Sequence, residues 1–231
     1  MPFLWLIPTL PLAGFLVLLF GGRRLSHRVI SLIGVGSIAL AVMVTLSIGL
    51  EYQANQAVDY RVSLWHWFSL GNTPIGFSLY LDALSLTMTA IVTGIGFLIH
   101  CYAAAYMQQD ADLARFFAYM NLFVCAMLLL VLADNLVLLY LGWEGVGLCS
   151  FLLIGFWYKN PENAAAAKKA FIVTRVGDTS LLIGLLLLFG HLGELEIQPL
   201  LTVVQDNWQH EPNLVWWACI FLLGGAAGKS A

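Results

Sequence analysis

The chain has 231 residues, of which 61% are hydrophobic and 10% are charged, and its formal net charge is −3. Soluble globular domains are about 45–50% apolar and about 25% charged, so a soluble fold is excluded and lipid must surround most of this chain. The net charge says little about partners, and the positions of the ten Lys and Arg residues are the informative feature.

Seven stretches are long and apolar enough, or nearly so, to cross a bilayer core of about 30 Å as helices. In chain order they are residues 3–20, 29–50, 81–106, 116–133, 136–158, 164–190 and 214–231. Helix is expected because lipid offers no water to an open backbone, and no ten-residue alternation typical of a β-barrel strand occurs. The sequence therefore predicts an all-α, polytopic transmembrane bundle of about seven helices, forming a single membrane domain over residues 1–231.

The basic residues predict how these helices are oriented. Only Arg61 lies in a loop after the second, fourth or sixth helix, whereas seven basic residues follow the first, third and fifth. Those seven are Arg23, Arg24, Arg28, Arg115, Lys159, Lys168 and Lys169. This positive-inside bias places the N-terminus outside, in the periplasm of a bacterial inner membrane. Because charges follow the first run and none precedes it, we expect a retained helix and not a cleaved signal peptide.

Two outer segments and the chain end carry weaker signals. Residues 51–80 are rich in aromatic residues, and polar and apolar residues loosely alternate along them, which is compatible with a short hairpin. Residues 191–213 hold four acidic and no basic residues, and a short interfacial helix is expected around Leu200–Trp208. The last apolar stretch runs to Ala231 without a polar tail, so we expect the seventh helix to be truncated in this chain.

Ionisable residues inside the apolar runs are the main functional candidates, because a charge at mid-membrane costs at least about 2.5–3.5 kcal/mol. Glu144 lies well within the fifth run, between glycines that allow a neighbouring helix to approach. Arg175 and Asp178 share one face of the sixth helix, as a relay or as a self-satisfied structural pair. Lys229 follows a run of small residues, and a buried lysine, unlike arginine, is able to give up its proton.

Several further residues have two interpretations. Lys168 lies two turns before Arg175, and it and Lys169 are either relay members or boundary residues that snorkel to water. His100 is either a satisfied core histidine or a relay site. Asp82 suits a helix cap better than a relay. The Gly228-Lys229-Ser230 run lacks the first glycine of a phosphate-binding loop, and Cys101, Cys125, Cys149 and Cys219 have no metal-ligand spacing.

Five segments stand out as motifs: residues 81–88 (LDALSLTM), 115–119 (RFFAY), 139–156 (LYLGWEGVGLCSFLLIGF), 170–178 (AFIVTRVGD) and 224–231 (GGAAGKSA). Together they closely resemble the L-type, antiporter-like membrane subunit of respiratory complex I. The resemblance implies an N-terminal part of such a subunit, which couples quinone reduction elsewhere in NADH:quinone oxidoreductase to proton translocation. It implies that Glu144 and Lys229, the latter in a broken helix, form the core pair, with Asp178 and Arg175 modulating them.

The resemblance also sets the expected partners. FMN, iron–sulfur clusters and quinone are expected in partner subunits, and no cofactor or metal in this chain. Other antiporter-like membrane subunits and membrane lipid are expected to contact it, and no nucleic acid. Related subunits occur in multi-subunit cation/proton antiporters, membrane-bound hydrogenases and inorganic-carbon uptake systems. Such an ion-transporting complex without a redox partner is the alternative function.

Overall fold

The computed structural model describes residues 3–71, 73–207 and 212–230. Within these residues the chain forms eight α-helices and one two-stranded sheet. The helices are α1 (Leu6–Gly21), α2 (His27–Ala54), α3 (Ala83–Tyr106), α4 (Leu113–Val131), α5 (Leu136–Ile154), α6 (Pro161–Leu192), α7 (Ile197–Asn207) and α8 (Pro212–Lys229). The strands are β1 (Tyr60–Leu70) and β2 (Thr73–Leu81).

Six of the described helices, α1 to α6, are long and apolar enough to cross a membrane, and α8 is a shorter apolar helix. The chain is therefore a multi-pass membrane protein, and the predicted polytopic helical bundle is confirmed. It folds as two compact units. The first unit comprises Met1–Val62 with Leu79–Leu132, and the second comprises Ser63–Ser78 with Ala133–Ala231.

The first unit is a bundle of α1 to α4. Helix α1 packs against α4 and α2, and α2 also packs against α3 and α4. Close contact depends on small residues, since a Cβ on Gly14 would lie 2.6 Å from the Ser37 hydroxyl oxygen. The buried Asn121 side chain accepts a 2.5 Å hydrogen bond from Ser37 and donates to the Phe117 carbonyl oxygen. One neutral amide thereby joins α2 to α4.

The second unit is built around α6, which packs most extensively on α8 and also on α5. An apolar cluster at one end of this unit joins helix and loop residues to α7. Its buried members are Ile75, Leu136, Leu181, Leu185, Leu195 and Leu200. Helix α7 thus contributes Leu200 to the core although it is too short to span a bilayer.

Polar side chains begin three of the helices, as expected for residues that satisfy unpaired backbone N–H groups. Asp82 forms a capping box with Ser85 at the start of α3, which confirms its prediction as a cap. Asn135 accepts a hydrogen bond from the Leu138 backbone N–H at the start of α5. Asn160 caps α6 through the Glu162 backbone N–H.

The observed elements differ from the predicted ranges mainly at polar boundaries. Helix α6 extends through the polar segment 161–163, where Asn160 and Pro161 are favourable starting residues. The weakly predicted hairpin is a full two-stranded ribbon, in which Trp65 stacks on Phe77 at 4.4 Å. The interfacial helix is α7, three residues earlier than expected at its start, and the predicted end at Trp208 lies outside the described residues.

Candidate functional site

Four ionisable side chains of the second unit lie in one row of alternating charge. The row begins with Glu144 on α5, continues through Arg175 and Asp178 on α6, and ends with Lys229 on α8. At 1.5 Å per residue, Asp178 is roughly 26 Å and 21 Å from the two ends of α6, so the row is far from the helix termini. In the order acid, base, acid, base, each carboxylate has a cationic neighbour.

Glu144 and Arg175 form the ion pair that joins α5 to α6. The Arg175 guanidinium donates through Nη1 to the Glu144 carboxylate and lies over the Phe171 ring, with Cζ 4.7 Å from the ring centre. The Tyr140 hydroxyl lies one turn before Glu144 and interacts with the same carboxylate. Removing the Arg175 charge would leave Glu144 without its counter-charge inside apolar helices.

Asp178 is the most deeply buried member, with 2% of its side chain exposed. Its Oδ1 accepts a 2.6 Å hydrogen bond from the Trp143 indole N–H. Its Oδ2 lies 3.8 Å from Arg175 Nε, and has no hydrogen-bond partner among the described residues. Asp178 is therefore held by one short neutral donor and two more distant cations, and not by a tight ion pair.

Lys229 is the last residue of α8 and reaches back to α5. Its Nζ donates a 2.6 Å hydrogen bond to the Trp143 carbonyl oxygen and lies 3.6 Å from Asp178 Oδ1. The same ammonium sits 5.0 Å from the centre of the Trp143 ring, within the range of a cation–π contact. A Cβ on Gly147 would come within 3.0 Å of Lys229 Nζ, so the glycine leaves room for the ammonium group.

Glycines bring α8 close enough to α6 for this geometry. A Cβ on Gly228 would lie 2.6 Å from the Gly177 Cα, and one on Gly225 would lie 2.7 Å from the Leu181 Cβ. The Ser180 hydroxyl also donates a 2.9 Å hydrogen bond to the Phe221 carbonyl oxygen. This small-residue contact is typical of packed membrane helices. The glycine run packs inside a continuous α8, so the helix has no break at these glycines over Pro212–Lys229.

Glu144 and Lys229, the expected core pair, are not in direct contact. Among the described residues Glu144 pairs with Arg175, Lys229 lies beside Asp178, and the two ends of the row are linked only through Arg175 and Asp178. Glu144 and Lys229 do not meet because they lie at different distances along their helices and because another side chain fills the space beside Glu144. Glu144 is about 12 Å from the start of α5, whereas Lys229 is about 26 Å from the start of α8, and Arg175 occupies the position next to Glu144.

The structure places the weaker candidates elsewhere. Lys168 and Lys169 are exposed in the first turns of α6, which suits residues at the edge of the hydrocarbon region. His100 belongs to the first unit, where its Nδ1 meets the Gly96 carbonyl oxygen at 2.7 Å. Sequence reasoning assigned no role to Trp143, and it read Gly147 only as one of the glycines that let a neighbouring helix approach. Their positions one residue before and three residues after Glu144 were the available signal.

The row is suited to moving protons by electrostatics. In a low-dielectric setting each charge strongly affects the protonation of its neighbour. Three of the four members remain partly exposed, with 38% of the Arg175, 22% of the Glu144 and 16% of the Lys229 side chain accessible. Among the described residues no group of three His, Cys, Asp or Glu side chains suits a metal ion. The carboxylates of Glu144 and Asp178 and the amine of Lys229 are groups that can exchange protons.

Two protein-family models match the chain. Residues 67–117 match the one described as the N-terminus of NADH-ubiquinone oxidoreductase (complex I) chain 5. Residues 133–231, which include the whole charged row, match the one described as NADH:quinone oxidoreductase/Mrp antiporter, transmembrane.

Relatives that are named as subunits of NADH-quinone or NADH-ubiquinone oxidoreductase are similar to this chain over nearly its whole length. NADH-quinone oxidoreductase subunit L of Escherichia coli is 53% identical over 96% of this chain and 36% of its own length. The Pseudomonas aeruginosa subunit L is 48% identical over 96% of this chain and 36% of its own length. NADH-ubiquinone oxidoreductase chain 5 of Metridium senile is 36% identical over 98% of this chain and 37% of its own length. The chain thus spans about a third of the length of these relatives.

Solved structures share the fold. A chain of the Mrp complex from Dietzia superposes with a TM-score of 0.80 at 25% identity, over 99% of this chain and 24% of that chain. A chain of an archaeal membrane-bound sulfane sulfur reductase superposes with a TM-score of 0.75 at 20% identity, over 95% of this chain and 33% of that chain. At this lower identity the second likeness concerns the fold alone.

Proposed function

The chain belongs to the family of antiporter-like membrane subunits that includes subunit L of NADH-quinone oxidoreductase, and we propose that it moves protons across the membrane as part of such an enzyme. The observation that carries this proposal is the row Glu144–Arg175–Asp178–Lys229, which crosses three apolar helices. Intramembrane charges that pair with each other are typical of proton routes.

The row suggests a sequence of electrostatic steps. A proton that binds Glu144 cancels its charge and releases Arg175 from the pair. Arg175 is then free to approach Asp178 from its present 3.8 Å and to neutralise it. Asp178 would in turn attract the Lys229 ammonium less, and Lys229 would lose its proton more readily. The return of a proton to Lys229 reverses each step, so protonation at the two ends of the row is coupled.

The redox chemistry that would drive these steps belongs to other subunits. We place FMN, iron–sulfur clusters and quinone there, and other antiporter-like membrane subunits and lipid as direct neighbours of this chain. Of the four central residues, Glu144 and Lys229 exchange protons, and Asp178 and Arg175 transmit the change. Lys168 and Lys169 are assigned to the inner edge of the membrane, where they would deliver protons or interact with headgroups.

The location we propose is the bacterial inner membrane, with the N-terminus and the β1–β2 ribbon outside. The support is the distribution of basic residues over alternate loops. A membrane-impermeant thiol reagent should label Ser69→Cys in the ribbon on right-side-out vesicles and Lys159→Cys on inverted vesicles, above a background variant with the native cysteines replaced. Labelling with the opposite sidedness would overturn the orientation.

The test of the function is Glu144→Gln in the assembled membrane complex. The amide keeps the shape but loses the charge that pairs with Arg175, so proton pumping coupled to NADH:quinone reduction should fall about tenfold or more, which corresponds to about 1.4 kcal/mol. Glu162→Gln, at an exposed position in the first turn of α6, is the matched control and should leave pumping unchanged. Equal pumping in both variants, at equal amounts of assembled complex, would reject the assignment.

A second candidate function is a subunit of a cation/proton antiporter without a redox partner. The TM-score of 0.80 against a chain of the Mrp complex supports it, since the same helical architecture serves there. The sequence favours the first proposal, because identity is 53% to subunit L and 25% to the Mrp chain. Purification of the complex in mild detergent separates the two, since flavin and iron–sulfur subunits should co-purify only under the first.

A further inference from the structure

Trp143 and Gly147 lie one helical turn apart on α5 and together surround the Lys229 ammonium group. Trp143 supplies three contacts: its carbonyl oxygen accepts from Lys229 Nζ at 2.6 Å, its ring lies 5.0 Å from that atom, and its indole N–H donates to Asp178. Gly147 supplies the space, because a Cβ there would lie 3.0 Å from Nζ. We call these two residues the ammonium socket.

We infer that the ammonium socket positions Lys229 beside Asp178 without letting the two form a direct hydrogen bond, and that this keeps the lysine able to exchange its proton. The inference rests on the proposed function, since it concerns how the same row works. Trp143 and Gly147 act as positioning residues, and the reacting groups remain Lys229 and Glu144.

The distances support this role. Lys229 Nζ lies 3.6 Å from Asp178 Oδ1, longer than the roughly 2.7–3.2 Å of an ordinary N–H···O hydrogen bond. The same Oδ1 is already occupied by the Trp143 indole N–H at 2.6 Å. Because this donor competes for Oδ1, the ammonium rests on a neutral carbonyl oxygen. A lysine in direct contact with a buried carboxylate would hold its proton more firmly.

Three charged groups act on Lys229, and the socket sets their balance. Asp178 and Glu144 attract the ammonium, and Arg175 repels it. Tyr140 is a further titratable group, and it interacts with Glu144 at the other end of the row. Loss of the indole N–H would free Asp178 Oδ1 and strengthen the attraction that is nearest to Lys229.

The socket also favours an ammonium over a larger cation. A planar guanidinium is wider than an ammonium and needs space for several N–H groups. Gly147 provides room only for a compact group, since its missing Cβ would already be 3.0 Å from Nζ and 3.8 Å from Asp178 Oδ2. Adding a methyl group at this position should displace Lys229 by a few tenths of an ångström.

The test compares the pH dependence of coupled activity in the assembled complex for Trp143→Phe and Trp216→Phe. Trp143→Phe keeps an aromatic face and the backbone carbonyl but loses the indole N–H donor. If turnover requires Lys229 to release its proton, the rise of activity on the acid side should move up by about one pH unit, a tenfold tighter hold on the proton. Trp216 is 65% exposed on α8, and its replacement should leave the profile in place.

A second pair of variants does not depend on the indole. Gly147→Ala should lower the coupled rate about tenfold, since a misplacement of about 1 Å costs on the order of 100-fold and the displacement here is smaller. Gly190→Ala is the control, because its Cβ would meet no atom within 4 Å. If Trp143→Phe assembles poorly on native gels, an equal coupled rate for Gly147→Ala and Gly190→Ala overturns the socket.

Lys229→Ala, measured in the same experiment, distinguishes a failure of the ammonium socket from a failure of the proposed function. If it abolishes coupled activity while Trp143→Phe keeps the profile of Trp216→Phe, the socket is rejected and the proposed function stands. If Lys229→Ala pumps normally, the proposed function fails and the socket fails with it. Lys229→Arg should not restore activity fully, because Arg neither fits the space nor releases its proton. Full rescue by Arg would contradict the socket.

Discussion

The two compact units both bury polar side chains inside apolar helices, but they satisfy them in different ways. In the first unit most of these groups bond to the backbone of their own helix. Thr45 donates to the Ala41 carbonyl oxygen at 2.8 Å, and Thr93 donates to that of Thr89 at 2.8 Å. A hydroxyl that bonds one turn back on its own helix affects no neighbouring helix.

In the second unit the row of charged side chains finds its partners on other helices. Asp178 on α6 is shared by Trp143 on α5 and Lys229 on α8, and Arg175 on α6 reaches Glu144 on α5. A change of charge at one member therefore alters forces on three helices. The difference indicates that the first unit uses polar groups for packing, and the second for transmission between helices.

The largest expected effect comes from two aspartates that share one sequence spacing. Arg175 and Asp178 are three residues apart, as are Asp112 and Arg115 in the first unit, but the Asp112 side chain is 55% exposed and that of Asp178 is 2% exposed. Asp178→Ala should cost about 3–5 kcal/mol because it removes a buried carboxylate that is the acceptor of the Trp143 indole N–H and the counter-charge nearest to Lys229. Asp112→Ala should cost less than about 1 kcal/mol, as for exposed pairs.

The yield of assembled complex and its thermal midpoint would measure this difference. Similar losses for Asp178→Ala and Asp112→Ala would remove the distinction between the two units, because burial would then not decide the cost. A loss of coupled activity for Asp178→Asn, which keeps the shape and an acceptor for Trp143, would further tie the charge of Asp178 to transmission.

The same comparison explains what was predictable from the sequence. The helical bundle follows from apolar runs of membrane length, and the four central charges stand out because each interrupts such a run. Their pairing was not predictable. The spacing of Arg175 and Asp178 describes one helix, whereas the partner of Glu144 depends on how α5, α6 and α8 are rotated against each other.

The roles of backbone groups and small residues in the row were also not predictable from the sequence. Lys229 is held by the carbonyl oxygen of Trp143, and sequence patterns carry no signal for an acceptor that every residue possesses. Gly147 was visible as one glycine in a Gly-rich run, but the reason for it, space beside Nζ, exists only in the folded unit. The length of the β1–β2 ribbon was likewise not predictable, because polar and apolar residues alternate only loosely along it.

An intermediate effect is expected from two glycines with equally tight surroundings. A Cβ would lie 2.6 Å from the nearest atom at both Gly14 and Gly228, against a Ser37 hydroxyl in the first unit and the Gly177 backbone in the second. Each substitution by Ala should destabilise its unit by about 1–3 kcal/mol through overpacking. Only Gly228→Ala also displaces Lys229, which is the next residue, so only that variant should lower the proton-to-electron ratio.

That ratio, measured at equal amounts of assembled complex, distinguishes packing from transmission. Stability loss without a change in the ratio is the expected result for Gly14→Ala. A lowered ratio for Gly14→Ala, or an unchanged ratio for Gly228→Ala, would contradict the division of roles between the two units.

The smallest effect is expected at His100, a buried titratable residue of the first unit. Its Nδ1 bonds to the Gly96 carbonyl oxygen one turn back, and its Nε2 has no partner among the described residues. His100→Leu removes an unsatisfied polar atom and some packing with Phe117, whose ring lies 6.0 Å away, and these changes oppose each other. Stability should therefore change by less than about 1 kcal/mol. Proton pumping and its pH profile should remain as they are, whereas a loss of pumping in fully assembled His100→Leu complex would make His100 a relay member and extend transmission into the first unit.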